Sequence, residues 1–109
     1  MARGVYIVPL ITKGFEKQIK LLRHFQDHRL DFNSASPQAY ETAADTFMSS
    51  PLNPPVKECI RTNGDVIRYN PATQEFGILD SSRYIITYYR LSYPTQKKRD
   101  DYFKRQCSQ

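Results

Sequence analysis

The chain has two histidines, His24 and His28, four residues apart in the run RHFQDHRLDF, residues 23–32. On a helix that spacing puts both rings on one face, as in metal sites of the HExxH kind. Here the intervening residues are Phe25, Gln26 and Asp27, so the glutamate of that motif is missing. Asp27 or Asp31 could add a ligand, but nothing in the spacing fixes a third. Nucleophilic catalysis would need Cys59 or a serine paired with histidine, and no nucleophile elbow or cysteine signature surrounds any of them. The four glycines are isolated, which argues against a phosphate-cradling loop. A third chemistry needs fewer parts. In metal-free RNA cleavage a base takes the ribose 2′-OH proton, an acid protonates the leaving 5′-oxygen, and cations steady the phosphorane. A histidine suits either proton transfer, and an aromatic ring can stack a splayed base. No metal and no cofactor are expected.

Composition narrows the partner. A net charge of +5 and a pI of about 9.3 suit an anionic surface: nucleic acid, membrane or acidic protein. The 109 residues fit one domain, 1–109, with enough apolar residues for a core. No apolar run reaches the roughly 20 residues of a membrane span. Residues 5–11 are apolar, but Pro9 and the lack of a small-residue cleavage site argue against a signal peptide, so they are expected to form a first strand. Two cysteines, Cys59 and Cys107, do not make a disulfide framework and are expected to be reduced.

The elements that must position these side chains change period midway. Residues 14–50 are helical, with Phe15, Ile19, Leu22 and Phe25 or Gln26 as one stripe. A second helix starts at Ser36 as N-cap with Pro37 at its first position, and the prolines of SSPLNPP end it. Ala39, Tyr40, Ala43, Ala44 and Phe47 share its face. From Val56 the chain reads as strands and tight turns: a hairpin at Asn63-Gly64, a turn over residues 70–74, a strand over Glu75–Leu79, and a β-branched and aromatic strand over residues 84–91. The tail predicts a short C-terminal helix anchored by Tyr102 and Phe103. The fold class is α+β, with N-terminal helices on a twisted antiparallel sheet of about four strands.

A two-residue Asn-Gly turn would set Ile60 against Ile67 and Arg61 against Val66. One side of the hairpin would then carry Ile60, Ile67 and Tyr69. The other would carry Lys57, Arg61 and Arg68, either a solvated face or a single-sign row for phosphates. In the last strand, alternation puts Thr87 and Tyr89 with Ile85 and Leu91, and Tyr84, Ile86, Tyr88 and Arg90 opposite.

Taken in order, the motifs resemble a toxin family. His28-Arg-Leu-Asp31-Phe32 is similar to the His-x-x-Asp/Glu-Phe motif of bacterial polymorphic toxin domains. The segment from Arg61 through Gly64, Tyr69, Asn70, Pro71 and Thr73 is similar to their glycine-turned hairpin and aromatic-Asn-Pro-x-Thr turn. Thr87-Tyr88-Tyr89-Arg90 resembles their closing Thr/Ser-x-aromatic-Lys/Arg motif. Order and spacing resemble the colicin D-type nuclease domains and the C-terminal toxins of contact-dependent inhibition, across residues 25–90.

That resemblance implies a barnase/EndoU/colicin/RelE-type fold and metal-independent cleavage of tRNA in the anticodon loop. It implies neutralisation by a small acidic immunity protein and action in the cytoplasm of a bacterial target cell, after delivery at the end of a larger secreted protein. His28 takes the position of the catalytic histidine, Thr87 that of the active-site hydroxyl and Tyr89 that of the active-site aromatic. Asp27 and Phe25 stand where colicin D has lysines, so arginines must replace them. The expected site is His28, Thr87 and Arg61 for catalysis, with Lys57, Arg68, Tyr89, Arg90 and Arg29 binding substrate. The alternative is a non-catalytic RNA- or protein-binding module, such as a degenerate toxin or a small phage-borne protein.

Overall fold

The computed structural model describes residues 9–109. The strand expected over residues 5–11 lies largely outside them. Helix α1 (Gln18–His28) ends in a single 3-10 turn (Arg29–Asp31), and α2 spans Pro37–Ser49. Strands β1 (Lys57–Ile60), β2 (Val66–Tyr69), β3 (Glu75–Leu79) and β4 (Ile85–Arg90) follow, then α3 (Gln96–Cys107). The strands form an antiparallel meander in the order β1-β2-β3-β4, so the α+β architecture is as expected. Among the described residues no helix is long and apolar enough to cross a membrane.

Local chemistry accounts for the helix ends. The Ser36 hydroxyl accepts a hydrogen bond from the Ala39 amide, satisfying a donor that the first turn leaves open, and Pro37 follows at N1. Thr95 caps α3 in the same way through the Lys98 amide. The buried face of α2 is Tyr40, Ala44, Phe47 and Met48, whereas Ala39 is exposed. In α1 the stripe differs from the expected one. Leu21 is buried with Phe25 beside it, while Ile19 and Leu22 are 62% and 43% exposed. The helix is rotated so that His24 rather than Leu22 meets Phe15, ring centroids 5.2 Å apart.

The sheet separates two cores. On one face α1 and α2 enclose Phe15, Tyr40, Phe47, Leu79, Ile85 and Tyr88. On the other, Ile67, Tyr69, Phe76, Ile78 and Leu91 pack against Phe103 of α3. Gly77 lets α2 lie close, since a Cβ there would sit 2.6 Å from Met48 Sδ. The loop before α1 is tied to α2 by the buried Asp45 carboxylate, which accepts from the Ile11 and Thr12 amides. That loop also covers part of the β4 edge, where the Ile85 amide donates to the Gly14 carbonyl.

Two strand registers differ from expectation. The first hairpin has a three-residue loop: the Gly64 amide donates to the Arg61 carbonyl, the Arg61 amide donates to Asp65, and only Gly64 takes a positive φ, +94°. Ile60 therefore faces Val66, and Cys59 faces Ile67. A one-residue slip turns every side chain over. It moves Arg61 and Cys59 to the α3 face, sets Arg68 beside Glu58 on the α2 face, and dissolves the single-sign basic row. In β4, Ile78 pairs with Thr87 but Leu79 pairs with Ile85, leaving Ile86 as the extra residue of a bulge. Ile85 thus joins Tyr88 in the α1–α2 core instead of sharing a side with Thr87.

The expectation of reduced thiols is overturned. Cys59 and Cys107 form a disulfide, with Cα atoms 6.0 Å apart and 48 residues apart in sequence. The slipped register aims Cys59 at α3, and the packing of Phe103 brings the last turn of that helix to it.

Candidate active site

His28 is the last residue of α1 and lies along the β4 edge. Its ring stacks on that of Tyr89, with centroids 5.1 Å apart and planes 22° from parallel. Its Nδ1 faces Asp31 Oδ2 at 3.5 Å, and both side chains are about 30% exposed. The same carboxylate accepts from the Arg90 amide at 3.2 Å, so one aspartate joins the end of α1 to the end of β4. The Arg90 guanidinium is held on three acceptors: the carbonyls of Asp31 and Thr73, and Gln74 Oε1. Gln74, in the turn over residues 70–74, takes a positive φ of +69°.

Tyr89 and Tyr102 share a hydroxyl hydrogen bond of 2.6 Å, and Tyr93 packs on Tyr102 with centroids 5.6 Å apart. Burial, then the Tyr102 bond, pushes the Tyr89 hydroxyl well above the ordinary tyrosine range, so it stays protonated at any ordinary pH. His28, Asp31, Tyr89, Arg90, Tyr93 and Tyr102 line an open cleft of about 430 Å³. An imidazole beside a carboxylate, an anchored guanidinium and a partly exposed ring can accept a proton, hold a phosphate and meet a base.

The structure brings together His28, Tyr89 and Arg90, whereas Arg29 follows His28 in sequence but lies over the Phe25 ring at 5.4 Å and does not line the cleft. It does not bring in the others. Thr87 is partly buried opposite Ile78 and does not line the cleft. Lys57 is exposed on β1, at the opposite edge of the sheet. Arg61 turns to α3, where it donates to the Gln106 carbonyl and side chain and pairs with Asp65. Arg68 is 9% exposed and donates to Glu58 at 2.6 Å and to the carbonyls of Phe47 and Ser50. Both guanidiniums are engaged internally, which corrects their assignment to phosphate.

Arg68 instead closes the C-terminal end of α2. Its replacement by alanine leaves two carbonyls and a carboxylate without their donor, and loss of one partner of a buried pair costs about 3–5 kcal/mol. Arg68→Ala is therefore expected to lower the free energy of unfolding by that amount while leaving the His28 cleft competent, as chemical denaturation alongside RNA binding would show.

Sequence reading missed Tyr93 and Tyr102. Tyr102 was visible as a helix anchor, but its role in the cleft depends on α3 folding back across the sheet. Among the described residues no group of three or more His, Cys, Asp or Glu could hold a metal. Comparison with protein-family models and with curated proteins gives no match.

Proposed function

We propose that this domain is a metal-independent endoribonuclease of the colicin D-like toxin type, with tRNA as substrate and the anticodon loop as target. The observation that supports it is the His28 cleft: an imidazole oriented by Asp31 and Tyr89, next to an arginine anchored by three acceptors. With Nδ1 turned to Asp31, Nε2 is the nitrogen for substrate. It takes the 2′-OH proton as the 2′-oxygen bonds to phosphorus, and returns it to the 5′-oxygen as the P–O5′ bond breaks. The products are a 2′,3′-cyclic phosphate and a 5′-hydroxyl. Arg90 offsets charge on the phosphorane. Tyr89 acts as a positioning residue for His28, and Tyr93, 39% exposed, is the ring for a base.

The matching partners are tRNA and a small acidic immunity protein that covers this cleft. The setting is the cytoplasm of a bacterial target cell, reached as the end of a larger secreted protein. Incubating the protein with total tRNA in EDTA is expected to give fragments ending in 2′,3′-cyclic phosphate. Intact tRNA after long incubation would end the proposal. A non-catalytic RNA-binding module is the second reading, favoured by the absence of Thr87 from the cleft lining. It predicts retained tRNA binding without fragments.

A further inference from the structure

One helical turn before His28, a second cleft opens along the same seam between α1 and β4. Its volume is about 280 Å³, and it is lined by Glu16, Lys20, Arg23, His24, Tyr84 and Ile86 among others. The rings of His24 and His28 are 6.2 Å apart, so the two clefts adjoin through the histidine pair. His24 Nδ1 is engaged with the Lys20 carbonyl at 2.9 Å, which leaves Nε2 for the cleft. Lys13 Nζ sits 5.3 Å from the centre of the Tyr84 ring and adds a further cation to the rim. Glu16 pairs with Lys20 at 3.1 Å, but both are about half exposed, so that pair is weak and exchangeable.

Resting on the ribonuclease reading, we propose that this second cleft is a subsite for the RNA strand flanking the scissile phosphate. Lys20 and Arg23 take backbone phosphates, and His24 and Tyr84 meet a base or ribose. Cations interleaved with aromatic rings suit a flexible single strand, because every base has a stacking face and the backbone supplies the charge. Tyr84, just before β4, and Tyr89 within it lie five residues apart, a span of about 17 Å. That length carries one continuous strand past both histidines. Glu16 gives way to phosphate on binding, as an exposed i,i+4 pair can.

The test uses His28→Ala protein, so that binding is measured without cleavage, and a fluorescent single-stranded RNA of anticodon-loop length titrated at several salt concentrations. Lys20→Ala/Arg23→Ala in that background is expected to weaken binding on the order of tenfold. The slope of log affinity on log salt should shrink by about 1.4, as for two lost phosphate contacts to a single strand. Lys97→Ala, on exposed α3, should change neither. A double variant that binds with unchanged affinity and slope would overturn the subsite. RNA binding with these losses, but no tRNA cleavage by the unaltered protein, would keep the subsite and remove the catalytic reading. No RNA binding by the parent protein would overturn both.

Discussion

Replacing His28 by alanine is expected to slow tRNA cleavage by about 10²–10⁴-fold, the usual contribution of one positioned acid–base group. The fold should survive, because the side chain is 28% exposed and its main packing is a single stack on Tyr89. A stacked pair is worth only about 0.5–1.5 kcal/mol beyond the area it buries. Single-turnover cleavage and a thermal melt on the same sample separate the two effects. Equal cleavage by His28→Ala would remove His28 from the chemistry. Tyr89→Phe provides the contrast: it keeps the stack and loses only the hydroxyl bond to Tyr102, so its rate should fall far less. That ordering belongs to a positioning ring and would not hold if the Tyr89 hydroxyl transferred a proton.

The largest stability effect should come from breaking the Cys59–Cys107 bond. A cross-link closing 48 residues removes denatured-chain entropy worth roughly 4 kcal/mol. For a domain of this size that corresponds to a fall in Tm of about 15–30 °C. Cys59→Ser/Cys107→Ser should show it, and so should the parent protein with reductant. The loss should begin at α3, which is held by Phe103, the Tyr69–Asp100 and Arg61–Gln106 hydrogen bonds and the disulfide. Amide exchange should therefore rise first in residues 96–107. A double variant melting within a few degrees of the parent, or with exchange unchanged in α3, would show that packing alone secures the helix.

Much of the architecture was legible because its signals are local. Ser36-Pro37 marks a helix start whatever surrounds it, and the bounds of β3 follow from turn residues on either side. His28 could be singled out because its motif is short and contiguous. What could not be seen depends on counts that tertiary packing sets. Whether Asn63-Gly64 closes a two- or three-residue loop is decided at the hairpin mouth by the Arg61–Asp65 pairing. That single residue turns Cys59 and Arg61 to the α3 side and sets Arg68 across from Glu58, so the row of Lys57, Arg61 and Arg68 does not form and Cys59 meets the end of α3. The rotation of α1 was hidden similarly. Leu21 and, in part, Phe25 are buried in place of Ile19 and Leu22, and that rotation carries His24 to Phe15 and His28 to Tyr89.

The extra residue in β4 has a consequence for how one strand serves two neighbours. Before Ile86 the odd-numbered Ile85 points to the α1–α2 side, and after it the even-numbered Tyr88 does. The bulge is thus a change of parity. A perfectly alternating strand would offer α1 one repeating ledge, with Ile85, Thr87 and Tyr89 all facing the same way. With the parity changed, the strand and the residue before it offer α1 two unlike ledges: one with Tyr84 and Ile86 beside His24, and one with Tyr89 beside His28. The same helix face can therefore carry two histidines in different environments.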